Sequence, residues 1–182
     1  MKQLIIIIAA LTVTTATLAQ NANTAATQSA KLALSNAIDI SFVNNGTSTG
    51  ATTTLSFNTV NDYANGVESA PIYLKVRSNK KFIVKAKTNS NKFTYAGSES
   101  PAPSMNVQNN LFIKVVSNNT GGNVPNAVNN VYKTLKKSNR KIINNGTPGG
   151  NNTFAVQYKA DPGFEFPAGT YTVDVVYTAT QK

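Results

Sequence analysis

Cysteine is absent from the sequence, and so are histidine and tryptophan. Without cysteine there is no disulfide framework, so stability must come from packing and sheet pairing alone. Without histidine or cysteine the chain lacks the usual general base, the commonest nucleophile pairings and the soft metal sites. Lack of tryptophan removes the side chain most favoured for stacking against sugar rings. Carboxylates are scarce as well, limited to Asp39, Asp62, Glu68, Glu99, Asp161, Glu165 and Asp174. A glycosidase needs two of them converging across a cleft. Asp161 and Glu165 lie four apart beside Pro162-Gly163, where turn formation and solvation explain them more simply. No Asp-rich calcium loop and no Gly-rich phosphate loop is present. The expectation is a non-enzymatic chain without metal or cofactor.

Long apolar runs are missing too, with one exception. Residues 4–11 are unbroken apolar sequence after Lys2, and Thr17-Leu18-Ala19 places small residues where signal peptidase reads. This predicts a Sec signal peptide over 1–19, with Ala22 as the alternative cleavage site. The run is too short to span a bilayer and no second one follows. The exported chain is therefore expected without a transmembrane segment, in the periplasm, at the cell surface or outside. Residues 20–28 are small and polar without periodicity and read as a flexible N-terminal extension. Residues 29–182 are long enough for a single domain with a real core.

What the chain does have is alternation with period 2. Leu32, Leu34, Ile38, Ile40 and Phe42 share one face of a first strand, and Asn44-Asn45-Gly46 forms a turn. Strands are predicted over 52–58, 72–77, 82–87, 92–96, 111–117, 154–158 and 170–181. Residues 72–86 read as a hairpin turning at Ser78-Asn79-Lys80. Residues 144–152 read as a Gly- and Asn-rich loop. One segment departs from this pattern: Val128, Val131, Tyr132 and Leu135 recur at helical spacing and predict a short helix near 126–137. Seven to nine short strands without alternating helices imply an all-β, immunoglobulin-like antiparallel β-sandwich with Greek-key connections.

The formal net charge is +10 although only 13% of residues are charged. On the expected hairpin, Lys75, Arg77, Lys81, Lys85 and Lys87 would project from one side. A second basic group, Lys133, Lys136, Lys137, Arg140 and Lys141, follows the expected helix. Such faces either contact an acidic partner, such as an acidic polysaccharide, or protect a sheet edge from aggregation. Nucleic acid is not expected, because no aromatic stacking platforms are interleaved with the cations.

Residues 166–182 read FPAGTYTVDVVYTATQK. A PAGTYT opening followed by an alternating strand resembles the terminal strand of spore coat protein U-like and archaic chaperone–usher pilin subunits. Gly169 stands fourteenth from the C-terminus, and position 181, where pilins commonly carry an aromatic residue, is Gln181. The resemblance implies a secreted, fimbria-like structural subunit that assembles by β-strand complementation, through self-association or a periplasmic chaperone. It implies chaperone or donor contacts at Tyr171, Val173, Val175 and Tyr177, and donor positions at Leu32 and Leu34, with Ala30 and Ala26 or Thr24 beside them. The alternative is a monomeric extracellular binding module that uses the basic face on acidic glycans or envelope polymers.

Overall fold

The computed structural model describes residues 26–44 and 46–182. The expected signal peptide and most of the extension, Thr24 included, lie outside the described residues. The chain divides into two units, Met1–Leu34 and Ser35–Lys182. Within the first, residues 26–34 carry no regular structure and are exposed throughout. Leu32 and Leu34 are 79% and 88% accessible, so neither belongs to a strand here.

The second unit is all-β. In chain order its elements are β1 (Ile38–Phe42), α1 (Val60–Asn65), β2 (Val67–Glu68), β3 (Ile72–Ser78), β4 (Phe82–Thr88), β5 (Thr94–Ala96), α2 (Val107–Asn110), β6 (Leu111–Asn119), β7 (Lys133–Thr134), β8 (Arg140–Gly146), β9 (Gly149–Ala160), β10 (Thr170–Thr172) and β11 (Val175–Gln181). The larger sheet runs β1-β3-β9-β6-β7, with β2 also on β9. The smaller sheet is β11-β4-β8, and β10-β5 form a separate pair. All of these ladders are antiparallel.

One apolar layer joins the two sheets. Leu74 and Val76 of β3, Ile113 and Val115 of β6, and Phe154 and Val156 of β9 meet Phe82, Val84 and Ala86 of β4 and Ile142 and Ile143 of β8. All are at most 1% accessible, which is core burial without any covalent staple. The period-2 alternation of β3 and β4 places one set of side chains in this layer and the other set outside.

The connection after β3 differs from the expected hairpin. β3 pairs with β1 and β9, whereas β4 pairs with β11 and β8, so residues 79–81 carry the chain from one sheet to the other. Lys75 and Arg77 therefore lie on a different sheet from Lys81, Lys85 and Lys87, and the predicted five-residue basic face does not form. Alternation shows which side of a strand is buried, but both core-facing sides look alike to it.

Residues 147–148 make the same crossing between β8 and β9 at the same end. Gly146 permits it: a Cβ there would lie 2.4 Å from the Phe82 ring. The expected loop over 144–152 is thus mostly strand, the ends of β8 and β9.

Two further expectations change. The helix near 126–137 is absent. Val128 and Leu135 are buried, but Val131 is 52% accessible, so the helical spacing does not correspond to one face. The helices present are α1 and α2. α1 begins at a capping box in which the Thr59 side chain accepts from the Asp62 amide while the Asp62 carboxylate accepts from the Thr59 amide. It ends at Gly66, whose φ of 74° and closeness to the Ala160 carbonyl exclude a side chain. Finally, residues 52–58 join no ladder, although Leu55 packs against the core.

Candidate functional site

The last strand occupies an edge. β11 pairs with β4 along its whole length, from Val175↔Thr88 to Gln181↔Phe82, and its other edge has no hydrogen-bonded neighbour strand among the described residues. β1 is the corresponding edge of the larger sheet, pairing only with β3. The two edges approach each other and form a seam where the sheets are not joined by a ladder.

Side chains on the seam are half covered. Along β11, Val175, Tyr177, Ala179 and Gln181 are partly buried while Val176, Thr178 and Thr180 are exposed. This contrasts with β4, where every core-facing residue is buried. Ile40 and Phe42 of β1 are also only partly buried against the core. A cavity of about 190 Å³ opens here, lined by Ile40, Phe42, Ser48, Leu74, Val175 and Tyr177. Phe42 and Tyr177 meet edge-to-face at 6.1 Å.

The seam has a polar tie below the aromatic contact. The Tyr177 hydroxyl shares a hydrogen bond with the Tyr158 hydroxyl of β9, linking the two sheets. Burial pushes the Tyr158 phenol up to about 12. It pushes Tyr177 well above the ordinary tyrosine value, and the neighbouring Tyr158 adds to the effect. Tyr177 as a whole is partly buried.

A second tie closes one end of the seam. The Gln181 side-chain amide donates to the Ala37 carbonyl at 2.8 Å, to Asn79 Oδ1 at 2.9 Å and to Ser78 Oγ at 3.1 Å. Asn79 in turn donates to the Ser35 carbonyl at 2.7 Å and accepts from the Ala37 amide at 3.0 Å. Position 181 thus works as a polar latch rather than an apolar anchor.

The residues expected from the terminal-strand resemblance separate into two places. Val175 and Tyr177 line the seam, and Val173 packs against the core just before it. Tyr171 belongs to β10, where its ring meets Tyr95 at 5.0 Å and Phe166 at 6.2 Å. The break lies at Asp174. Its backbone and carboxylate bond to Asn89, so 170–181 form two strands instead of one.

Among the predicted polyanion residues, Arg77 is occupied by Asp39 of β1 at 2.8 Å. Lys75 lies beside it on the larger sheet, and Lys81, Lys85 and Lys87 lie on the smaller one. The second basic group is also dispersed. Lys133 is in β7, and the Arg140 guanidinium donates to the Thr134 carbonyl at 3.1 Å.

Sequence reasoning missed Ser48 and Leu74 as seam walls, and Lys141 as a neighbour of Lys85. Each depends on strand register, which no local pattern encodes. Most carboxylates are already engaged. Glu68 faces Lys114 at 3.6 Å, Asp161 faces Lys159 at 3.3 Å, and Asp62 caps α1.

No family model matches the chain, and no curated protein matches it. Among solved structures, a chain of a chaperone–usher pilus is similar at 10% identity, covering 88% of this chain and 100% of that one, with a TM-score of 0.43.

Proposed function

We propose that this chain is an exported, non-catalytic structural subunit that assembles by accepting a β-strand along the β1–β11 seam. The observation that carries the proposal is the seam itself: two facing edges lack a ladder, and their inward side chains are only half covered. An added strand would use the free main-chain groups of β11 for affinity and place alternate side chains over Val175, Tyr177 and Phe42 for register. Residues 26–34 of a second copy supply a suitable strand, since Leu32 and Leu34 alternate and stand exposed. Burying each leucine would contribute roughly 1.5–3 kcal/mol. A periplasmic chaperone would use the same β11 edge before assembly. Engagement of Asp39, Asp62, Glu68, Asp161 and Asp174 in structural contacts supports the non-catalytic part of the reading.

The test compares three chains by cross-linking and size-exclusion chromatography: residues 20–182, residues 35–182, and residues 20–182 carrying Leu32→Lys and Leu34→Lys. Polymers are expected from the first alone. A peptide spanning 26–34 is expected to slow amide exchange in β11 of the 35–182 chain. Equal polymerisation by the Lys variant, or a stable monomer from the first chain together with an inert peptide, overturns the proposal.

A further inference from the structure

The outer face of the smaller sheet carries lysines and threonines, with Ile83 and Val176 among them. On β4 the buried alternates Phe82, Val84, Ala86 and Thr88 fix Ile83, Lys85 and Lys87 outward, and the exposed Lys81 immediately precedes the strand. Register then determines their neighbours. Lys85 sits between Thr178 of β11 and Lys141 of β8, Ile83 lies beside Thr180, and Lys87 lies beside Val176. Lys81 is opposite Lys182, whose amide donates to its carbonyl at 2.8 Å. The Lys182 ammonium reaches across β4 to Asn144 Oδ1 at 3.3 Å at the end of β8. No carboxylate occurs on β4, β8 or β11, and Asp174, just ahead of β11, is held by the Asn89 side chain at 2.6 Å.

The larger sheet is treated differently. All three ion pairs among the described residues involve its strands: Arg77 with Asp39, Lys114 with Glu68, and Lys159 with Asp161. Its cations are largely neutralised where they stand, while those of the smaller sheet have no carboxylate opposite. Like charges placed directly across strands destabilise a sheet. The Lys85–Lys141 register is such a pair. An edge-protecting role suits Lys141 on the edge strand β8 but does not account for Lys85 and Lys87, because β4 is the central strand of its sheet.

We infer that the outer face of β8-β4-β11, carrying Lys81, Lys85, Lys87 and Lys141, binds a linear acidic polysaccharide. Residues two apart on a strand are about 7 Å apart and neighbouring strands about 4.8 Å apart. Lys85, Lys87 and Lys141 therefore lie about one Debye length apart, about 8 Å at physiological salt, and act as one field, which Lys81 extends about 14 Å further along the strand line. A line of cations along a strand matches an extended polymer carrying carboxylates or sulfates along its sugar rings. The exposed Thr178 and Thr180 hydroxyls beside the strip suit a polyol. The face has no aromatic ring for base stacking, which disfavours a nucleic acid. Its most exposed large apolar side chain is Val176 at 38%, too little for insertion into a lipid surface. The strip lies on the outer side of the sheet, so a strand added at the β11 edge would leave it open.

The experiment measures binding of the purified protein to immobilised polygalacturonate as a function of salt. K81Q/K85Q/K87Q/K141Q is compared with K75Q/K92Q/K133Q/K159Q, which removes the same charge elsewhere. The first variant is expected to lose on the order of tenfold or more in affinity, and the second little. Acetylation of the unmodified protein with and without polymer provides a readout that needs no variant, with protection expected at Lys81, Lys85, Lys87 and Lys141 and not at Lys75 or Lys133. Equal losses in both variants, an unchanged first variant, or uniform acetylation overturns the inference. Tighter binding to phosphatidylglycerol vesicles or to an oligonucleotide than to polygalacturonate overturns the assignment of partner. Assembly by the first variant stays at the wild-type level, which separates this outcome from failure of the strand-acceptor reading.

Discussion

At the scale of single residues, the phenol pair under the seam links the two sheets by a side-chain hydrogen bond. Tyr158 comes from the middle of the larger sheet and Tyr177 from the edge of the smaller one, and each hydroxyl satisfies the other in a site closed to water. Tyr158→Phe leaves the Tyr177 hydroxyl buried without its partner, a loss of about 1–3 kcal/mol at neutral pH. The pH dependence follows from the direction of the shift. Tyr158 ionises at about 12 in the folded protein but near 10 when unfolded. Its contribution is therefore complete below pH 10 and is lost as the pH rises toward 12. Over that window the unfolding free energy of the wild type should fall more steeply than that of Tyr158→Phe, by up to about 1.4 kcal/mol per pH unit. Denaturant titrations at pH 9 to 12 measure both slopes, and parallel slopes would show that the pair does not control alkaline stability.

At the scale of elements, residues 51–57 are the segment where pattern and pairing disagree most. Leu55 and Phe57 alternate with polar neighbours as in a strand, and Leu55 touches the core, yet no backbone hydrogen bond ties 51–57 to a ladder. Phe57 instead packs on Tyr63 at 5.3 Å, and Tyr63 stacks on Phe164 at 5.6 Å. Amides 52–57 should accordingly exchange with solvent orders of magnitude faster than those of β4 and β9, and protection equal to that of β9 would mean the segment is paired after all. The same disagreement explains what the sequence could convey. Alternation located β3, β4, β6, β9 and β11, and on β3 and β4 it separated the buried side from the lysine-bearing one. It could not say that β3 and β4 belong to different sheets, because Ser78-Asn79-Lys80 suits a hairpin and an inter-sheet crossing equally well. It overlooked β8, where a bulge places Ile142 and Ile143 both inside and breaks the period. The seam was legible on its β11 side, in the spacing of Val175, Tyr177 and Ala179. Its β1 side required knowing that Ile40 and Phe42 stand opposite them across the sandwich.

For the molecule as a whole, the decisive feature is how charge divides between the two sheets. With no histidine or cysteine to titrate and a formal net charge of +10, the fold stays strongly cationic through neutral pH. The larger sheet pairs Arg77, Lys114 and Lys159 with carboxylates, while on the smaller one Lys81, Lys85, Lys87 and Lys141 have no ion pair and Lys85 faces Lys141 directly. A face selected for stability alone would not retain that repulsion. Its cost should be visible without any ligand, since the Debye length grows to about 30 Å at 0.01 M salt and shrinks to a few ångströms near 1 M. K81Q/K85Q/K87Q/K141Q is expected to melt above the wild type at 0.01 M salt. A relief on the order of 1 kcal/mol corresponds to about 2–4 °C for a domain of this size. The gap should close as salt approaches 1 M. Thermal unfolding followed by circular dichroism at both salt levels reads the difference directly. A variant no more stable than the wild type at 0.01 M would mean that the lysines do not strain the sheet, so their clustering would need no bound polyanion to account for it.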